Sequence, residues 1–117
     1  MIKIIATLLT FFAFNVSHAK VNVGIILGFT GPIETLTPGM SAGAELAFNE
    51  AADSGKLLNG QGINIIKVDS TCVDSAAATS AAESLISQGV TAIMGADCSG
   101  VTGAVLSNVA VPNGVPM

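Results

Sequence analysis

Two cysteines stand where a protein of alternating strands and helices could bind a ligand. Cys72 follows an apolar run, 63–68, and Cys98 follows a second apolar run, 90–94. If these runs are adjacent parallel strands, both thiols lie at one carboxyl edge of a sheet, beside the crevice where open α/β sheets bind ligands. A disulfide there would clamp two loops together, whereas two free thiols would act as small buried apolar groups.

The residues that would give these thiols a catalytic or metal-binding role are missing. The single histidine of the sequence is His18, so residues 20–117 contain no imidazole that could activate Cys98 or a serine. Two cysteines without histidine do not complete a tetrahedral metal site. The segment 28–32 also departs from the dinucleotide-binding fingerprint, because the predicted helix begins several residues later. We therefore expect no catalytic residue, no metal and no cofactor.

Ser99, directly after the second cysteine, has the clearest binding chemistry. It is a favourable N-cap for a short helix, where its hydroxyl would lie beside unpaired backbone N–H groups and the positive end of the helix dipole. This position suits a carboxylate or another small anion. Capping of its own helix is the alternative, and it is the commoner role of serine at such a position.

Residues 1–19 have the pattern of a cleaved secretory signal peptide. A lysine precedes an apolar run of eleven residues, 4–14, and the segment 17–19 supplies the small residues that signal peptidase reads. This run is too short for a membrane span, which takes about 20 apolar residues. We expect cleavage after Ala19 and a periplasmic mature chain, 20–117, that does not insert into the membrane. The oxidising periplasm favours a Cys72–Cys98 disulfide over free thiols.

The charge of the mature chain argues against two classes of partner. Three lysines against eight acidic residues give it a net charge of −5. Nucleic-acid binding needs a basic patch, and anionic membrane surfaces attract Lys and Arg rather than acids. We expect neither a nucleic acid nor a membrane surface as partner.

The elements that must position these residues alternate between strand and helix. The predicted order is a strand over 21–27, a helix capped by Thr37, a strand over 63–68, a helix over 75–88 capped by Asp74, a strand over 90–94 and a short helix from Ser99. Helical spacing predicts that the first helix buries Met40, Ala44, Ala47, Phe48 and Ala51. This order predicts an α/β fold with a doubly wound parallel sheet. The last residues, 111–117, are predicted to form a turn that leads into a fourth strand.

Together these segments resemble the start of a periplasmic solute-binding protein of the branched-chain amino acid type, the class that feeds ABC importers. The matching segments are Val21-Asn22-Val23-Gly24-Ile25-Ile26, Thr30-Gly31-Pro32, Gly43-Ala44-Glu45-Leu46-Ala47, Asp69-Ser70-Thr71-Cys72 and Asp97-Cys98-Ser99-Gly100. The resemblance implies a two-lobed type I periplasmic binding protein. Residues 20–117 would then form the first, incomplete part of its amino-terminal lobe.

The resemblance also implies a function that is not enzymatic, namely capture of an amino acid-like or similar carboxylated solute for an inner-membrane ABC permease. In the family, the serine aligned with Ser99 receives the α-carboxylate of the ligand, and we expect the Gly100 N–H to assist. The position of Leu36 often carries an aromatic residue that covers the ligand, so Leu36 argues against strict leucine specificity. The alternative is the ligand-binding module of a sensory receptor or amide-sensing regulator with the same fold.

Overall fold

The computed structural model describes residues 20–117; the predicted signal peptide lies outside the described residues. The elements are β1 (Val21–Leu27), α1 (Thr37–Asp53), β2 (Ile63–Asp69), α2 (Ser75–Ser87), β3 (Ala92–Gly95) and α3 (Ser99–Val105). A 3₁₀ turn, Leu57–Gly60, precedes β2, and a π-helical turn, Leu106–Ala110, continues α3. The predicted alternation of strands and helices is therefore confirmed.

The three strands form one parallel sheet in the order β2-β1-β3. Pairing runs from Val21 opposite Ile63 to Leu27 opposite Asp69, while β3 pairs with the other side of β1. The prediction of a doubly wound parallel sheet is confirmed, but β2 and β3 are not neighbours, because β1 lies between them. The strand order reverses between β1 and β3, so the switch point of the sheet lies at their carboxyl ends.

Helices α2 and α3 cover one face of the sheet with a close-packed apolar core. Nine buried residues form this core: Ile26, Ala78, Ala82, Leu85, Val90, Ile93, Val101, Val105 and Val109. The alanines let α2 approach the sheet closely. Gly24 of β1 completes the fit, since a Cβ atom there would lie 2.6 Å from Leu85 Cδ1.

Helix α1 lies on the opposite side of the sheet, where Val23, Ile25 and Leu27 of β1 are buried. Its buried residues are Thr37 and Ser41, whereas Met40 and Ala47 are exposed, so the predicted inward face is wrong at these two positions. The helix is rotated so that hydroxyl groups rather than Met40 face the sheet. The Thr37 hydroxyl donates to the Gly28 carbonyl at 3.1 Å, and this hydrogen bond stabilises the observed orientation.

The third strand begins later than its apolar run predicts. The N–H of Val90 donates to the Leu85 carbonyl at 3.3 Å, so Val90 belongs to the turn that ends α2. Its side chain is nevertheless buried in the core on the α2 side. The carboxyl-terminal segment then lies beside β3, where the Ile93 N–H donates to the Pro116 carbonyl at 2.9 Å.

Candidate functional site

The disulfide joins Cys72 to Cys98 across the end of β1. The two Cα atoms are 5.2 Å apart, although β2 and β3, which precede these residues, are not adjacent strands. Gly28, the residue after β1, leaves the space that this crossing needs. A Cβ atom on Gly28 would lie 3.2 Å from the Cys72 Cβ, which is closer than ordinary contact.

The loop that carries Cys72 is held by the carboxylate of Asp69 at the end of β2. The Thr30 hydroxyl donates to Asp69 Oδ2 at 2.6 Å, and the Thr71 N–H donates to Oδ1 at 2.8 Å. Partial burial raises the pKa of Asp69, but the hydrogen bonds from Thr30 and Thr71 outweigh this effect and lower the pKa below its ordinary value of 3.8. Asp69 therefore remains ionised at neutral pH and ties two loops of the carboxyl edge together.

Asp97 performs the corresponding role at the switch point. Its Oδ2 accepts the Gly28 N–H at 2.8 Å, and its Oδ1 accepts the Ser70 hydroxyl at 3.3 Å. Ser70 is fully buried. One carboxylate thus joins the residues that follow β1, β2 and β3.

Ser99 is the first residue of α3 rather than its N-cap, so the predicted capping role is wrong. Cys98 is the N-cap: the Thr102 N–H donates to the Cys98 carbonyl at 2.9 Å, and no side chain caps the helix. A cysteine whose sulfur is in a disulfide has no oxygen that could accept the N–H groups of the first turn. Ser99 and Gly100 are both exposed there, at the carboxyl edge of the sheet.

The neighbouring helix α2 begins differently. Asp74 Oδ1 accepts the N–H groups of Ala76 and Ala77 at 2.9 and 3.0 Å, so the predicted cap is confirmed. The positive end of α2 is neutralised by its own chain, whereas that of α3 is not. Of these two helix ends, the one at Ser99 therefore has more uncapped N–H donors for an external anion.

Leu36 lies at the same carboxyl edge, on the α1 side of the switch point. It is the N-cap of α1 and 63% exposed. Thr37, predicted as the N-cap, is instead the first helical residue and is fully buried. Leu36 and Ser99 therefore begin helices on opposite sides of the sheet, at the carboxyl edge that contains the switch point.

A separate groove of about 630 Å³ lies between α1 and β2. Leu46 and Lys67 are among its lining residues, but Ser99, Gly100 and Leu36 are not. Lys67 Nζ and Glu45 Oε1 form an ion pair at 2.9 Å beside it. This groove lies along the α1 side of the sheet, so the crevice at the switch point is the better candidate site on geometric grounds.

The comparisons with known proteins agree with this fold. The model of the family described as periplasmic binding protein matches residues 20–117. The chain belongs to this family. Its members are binding proteins and not enzymes, which confirms the prediction of a non-catalytic function. No curated protein matches the chain at a significant level.

Several solved structures share the fold. The LivJ branched-chain amino acid transporter substrate-binding protein of Streptococcus pneumoniae, solved in complex with isoleucine, is 28% identical with a TM-score of 0.74; the match covers 84% of this chain and 28% of that one. The leucine-binding protein LivK of Thermotoga maritima is 26% identical with a TM-score of 0.67, covering 83% of this chain and 26% of that one. A possible leucine/isoleucine/valine-binding protein of Rhodopirellula baltica, at 20% identity, shows the fold alone; its TM-score is 0.74, with 90% and 28% covered.

The chain spans about 28% of the length of the first of these relatives. Its α/β fold is that of the type I periplasmic binding proteins. Within residues 20–117, no helix is both long and apolar enough to cross a membrane.

The sequence pattern does not identify Asp97 and Thr37 as organising residues of this edge. It marks Asp97 only as part of a matching segment and Thr37 only as a cap. The sequence does indicate that such partners must exist, because the N–H and C=O of Gly28 leave the sheet where β1 ends and are buried there. Their partners come from residues far apart in sequence, since Gly28 and Asp97 are 69 positions apart.

Proposed function

We propose that the chain is the first part of the amino-terminal lobe of a periplasmic solute-binding protein that serves an ABC importer. Residues 1–19 would be its cleaved signal peptide, and an inner-membrane permease its partner. Its ligand would be an amino acid or a similar small carboxylated solute. The family match over residues 20–117 and the likeness to LivJ in complex with isoleucine support this proposal.

The uncapped start of α3 at the switch point is the observation that carries the ligand class. In our proposal, the Ser99 hydroxyl and the Gly100 N–H donate to the carboxylate of the ligand. First-turn N–H groups have no partner within a helix, and the positive end of the helix dipole adds attraction for an anion. The disulfide at Cys98 supports this role, because it holds the start of α3 in place.

Leu36 would contact the rest of the ligand from the α1 side of the crevice. Its exposed side chain is apolar, aliphatic and smaller than an aromatic ring. Such a side chain suits ligands with a modest apolar part and gives weaker discrimination for leucine. A second lobe would close over the crevice, since burial of most of a ligand needs a pocket with walls on both sides.

Titration calorimetry of the full-length protein tests the proposal. A panel of branched-chain, small and acidic amino acids identifies the ligand class, and Ser99→Ala is then compared with wild type. Loss of a hydrogen bond to a charged group should weaken binding by about tenfold to a hundredfold. Ser107→Ala is the matched control, because Ser107 is an exposed serine in the π-helical turn that continues α3.

Two results would contradict the proposal. If the wild-type protein binds no amino acid or carboxylate, the ligand class is wrong. If the wild-type protein binds and Ser99→Ala has the same affinity, Ser99 does not receive the carboxylate.

A further inference from the structure

We propose that Asp97 is a positioning residue that sets the distance between the two ligand-facing helix starts, Leu36 and Ser99. This inference rests on the proposed function, since it concerns the geometry of that site. Asp97 would not touch the ligand. It would act through the hydrogen bonds that link the segment before α3 to the first residue of α1.

A continuous path of hydrogen bonds connects the two sides of the crevice. On the α1 side, the Thr37 hydroxyl donates to the Gly28 carbonyl at 3.1 Å. The N–H of the same Gly28 donates to Asp97 Oδ2 at 2.8 Å. Thr37 is one residue from Leu36, and Asp97 is two residues from Ser99, so the path joins both helix starts through Gly28, the residue that follows β1.

The path is shielded from water over most of its length. Thr37, Gly28 and Ser70 are buried, and Asp97 is half-buried. Hydrogen bonds that are withdrawn from water are costly to leave unmade, so they hold their geometry firmly. A shift of the loop that carries Asp97 would therefore unpair the Gly28 N–H and the buried Ser70 hydroxyl together.

A carboxylate is the group that this junction requires. Two donors, the Gly28 N–H and the Ser70 hydroxyl, converge on it, and an ionised carboxylate offers two acceptor oxygens and no donor. An asparagine could accept the Gly28 N–H, but its NH₂ group would face Ser70 and force that hydroxyl to find another acceptor. Asp97→Asn therefore weakens the junction while it preserves the size of the side chain.

The charge of Asp97 allows a decisive test. A negative charge near a carboxylate ligand is unfavourable. If Asp97 influenced the ligand only through its charge, Asp97→Asn would tighten binding. If Asp97 positions Ser99, the same substitution weakens binding despite removing the repulsion.

We expect Asp97→Asn to raise the Kd of the preferred amino acid by about threefold and Asp97→Ala by about tenfold or more in the full-length protein. Asp53→Asn, an exposed acid at the other end of α1, controls for the change in net charge. Thr37→Val breaks the path at its other end, with Thr79→Val as its control, because Thr79 donates its hydroxyl to Ser75 within α2. The Thr37→Val and Asp97→Asn effects on Kd should be non-additive, because both act through the same Gly28 peptide groups.

Backbone amide spectra of the same variants give a readout that does not depend on ligand. In Asp97→Asn, the signals of Leu36, Thr37, Ser99 and Gly100 should all move, whereas Asp53→Asn leaves them in place. Unchanged or tighter binding by Asp97→Asn, or signals that move on the α3 side alone, would overturn the inference. Failure of the wild-type protein to bind any amino acid would instead remove the proposed function, and the amide spectra would then decide whether Asp97 links the two helix starts.

Discussion

The two faces of the sheet are held to their helices by different interactions. On the α2 and α3 side, nine buried side chains form a continuous apolar core. On the α1 side, the buried residues of the helix are Thr37 and Ser41, and their hydroxyls are hydrogen-bonded to Gly28 and Glu45. Leu46 of α1 remains 60% exposed. Helices α2 and α3 thus bury apolar residues of their own, whereas the buried residues of α1 carry hydroxyl groups and lie on the face where Val23, Ile25 and Leu27 of β1 are buried.

This difference indicates how the fold separates stability from ligand binding. Helices α2 and α3 bury apolar side chains and therefore contribute more hydrophobic free energy than α1, since this energy scales with the apolar area removed from water. The α1 side supplies Leu36 and one end of the hydrogen-bonded path to Asp97. The hydrogen bond from Thr37 to the Gly28 carbonyl fixes the start of α1 beside the end of β1.

The largest expected difference in the free energy of unfolding is between two variants in which a leucine on either side of the sheet is replaced by alanine. Leu85→Ala removes a fully buried side chain from the α2 core and should lower the free energy of unfolding by about 2–5 kcal/mol. Leu46→Ala, on exposed α1 surface, should change it by no more than about 0.5 kcal/mol. Urea unfolding followed by circular dichroism measures both. Equal losses in the two variants would show that the α1 side is as tightly packed as the core.

Smaller changes in the free energy of unfolding, opposite in sign on the two sides of the sheet, are expected when a glycine on each side is replaced by alanine. Gly24→Ala places a Cβ against the buried Leu85 side chain and should destabilise the protein by about 1–3 kcal/mol. Gly43 of α1 has no atom within 4 Å of the position of a Cβ, so Gly43→Ala should stabilise the protein by about 0.5–1 kcal/mol through helix propensity. Thermal unfolding would show the melting temperature falling in the first variant and rising in the second. A fall in both would mean that α1 is also closely packed.

The smallest effect concerns the ion pair on the α1 side. Hydrogen bonds from Lys67 and then Ser41 lower the pKa of Glu45 below its ordinary value of 4.5. A lowered pKa contributes stability above the unfolded-state pKa, and this contribution is lost as the pH falls through the folded-state value. In Lys67→Met, the loss of stability between neutral pH and acid should therefore be shallower than in wild type. Asp69 titrates in both proteins, so the difference between the two pH profiles reports the Glu45 pair; superimposed profiles would show that the pair contributes nothing.

Local patterns in the sequence were sufficient for most of the fold. The continuous apolar runs placed β1 and β2 within one residue, and Asp74 correctly marked the start of α2. The predicted start of the third strand is wrong, because the N–H of Val90 is hydrogen-bonded within the turn after α2. The apolar character of Val90 correctly predicts that its side chain is buried. It does not predict whether its backbone N–H is hydrogen-bonded in a strand or in a turn.

The candidate site can be predicted less completely from local sequence patterns. The cysteine pair and the start of α3 follow from local spacing, and the structure joins those cysteines. The path through Thr37, Gly28 and Asp97 does not, because its donors and acceptors meet only after the strands take the order β2-β1-β3. The helix periodicity of α1 gave a partly wrong prediction for a related reason: the hydroxyls of Thr37 and Ser41, which donate to Gly28 and Glu45, occupy the inward face in place of apolar residues.

The disulfide has a further consequence for how the protein would respond to mechanical force. It closes a covalent ring across 26 residue steps, which contains all of α2 and β3 but none of α1. Tension applied through the chain ends would pass directly from Cys72 to Cys98, so about 90 Å of contour inside the ring would bear no load. If such a force detaches α1, the disulfide still keeps α2 and β3 within one closed loop, so the two elements stay close enough to refold into the core.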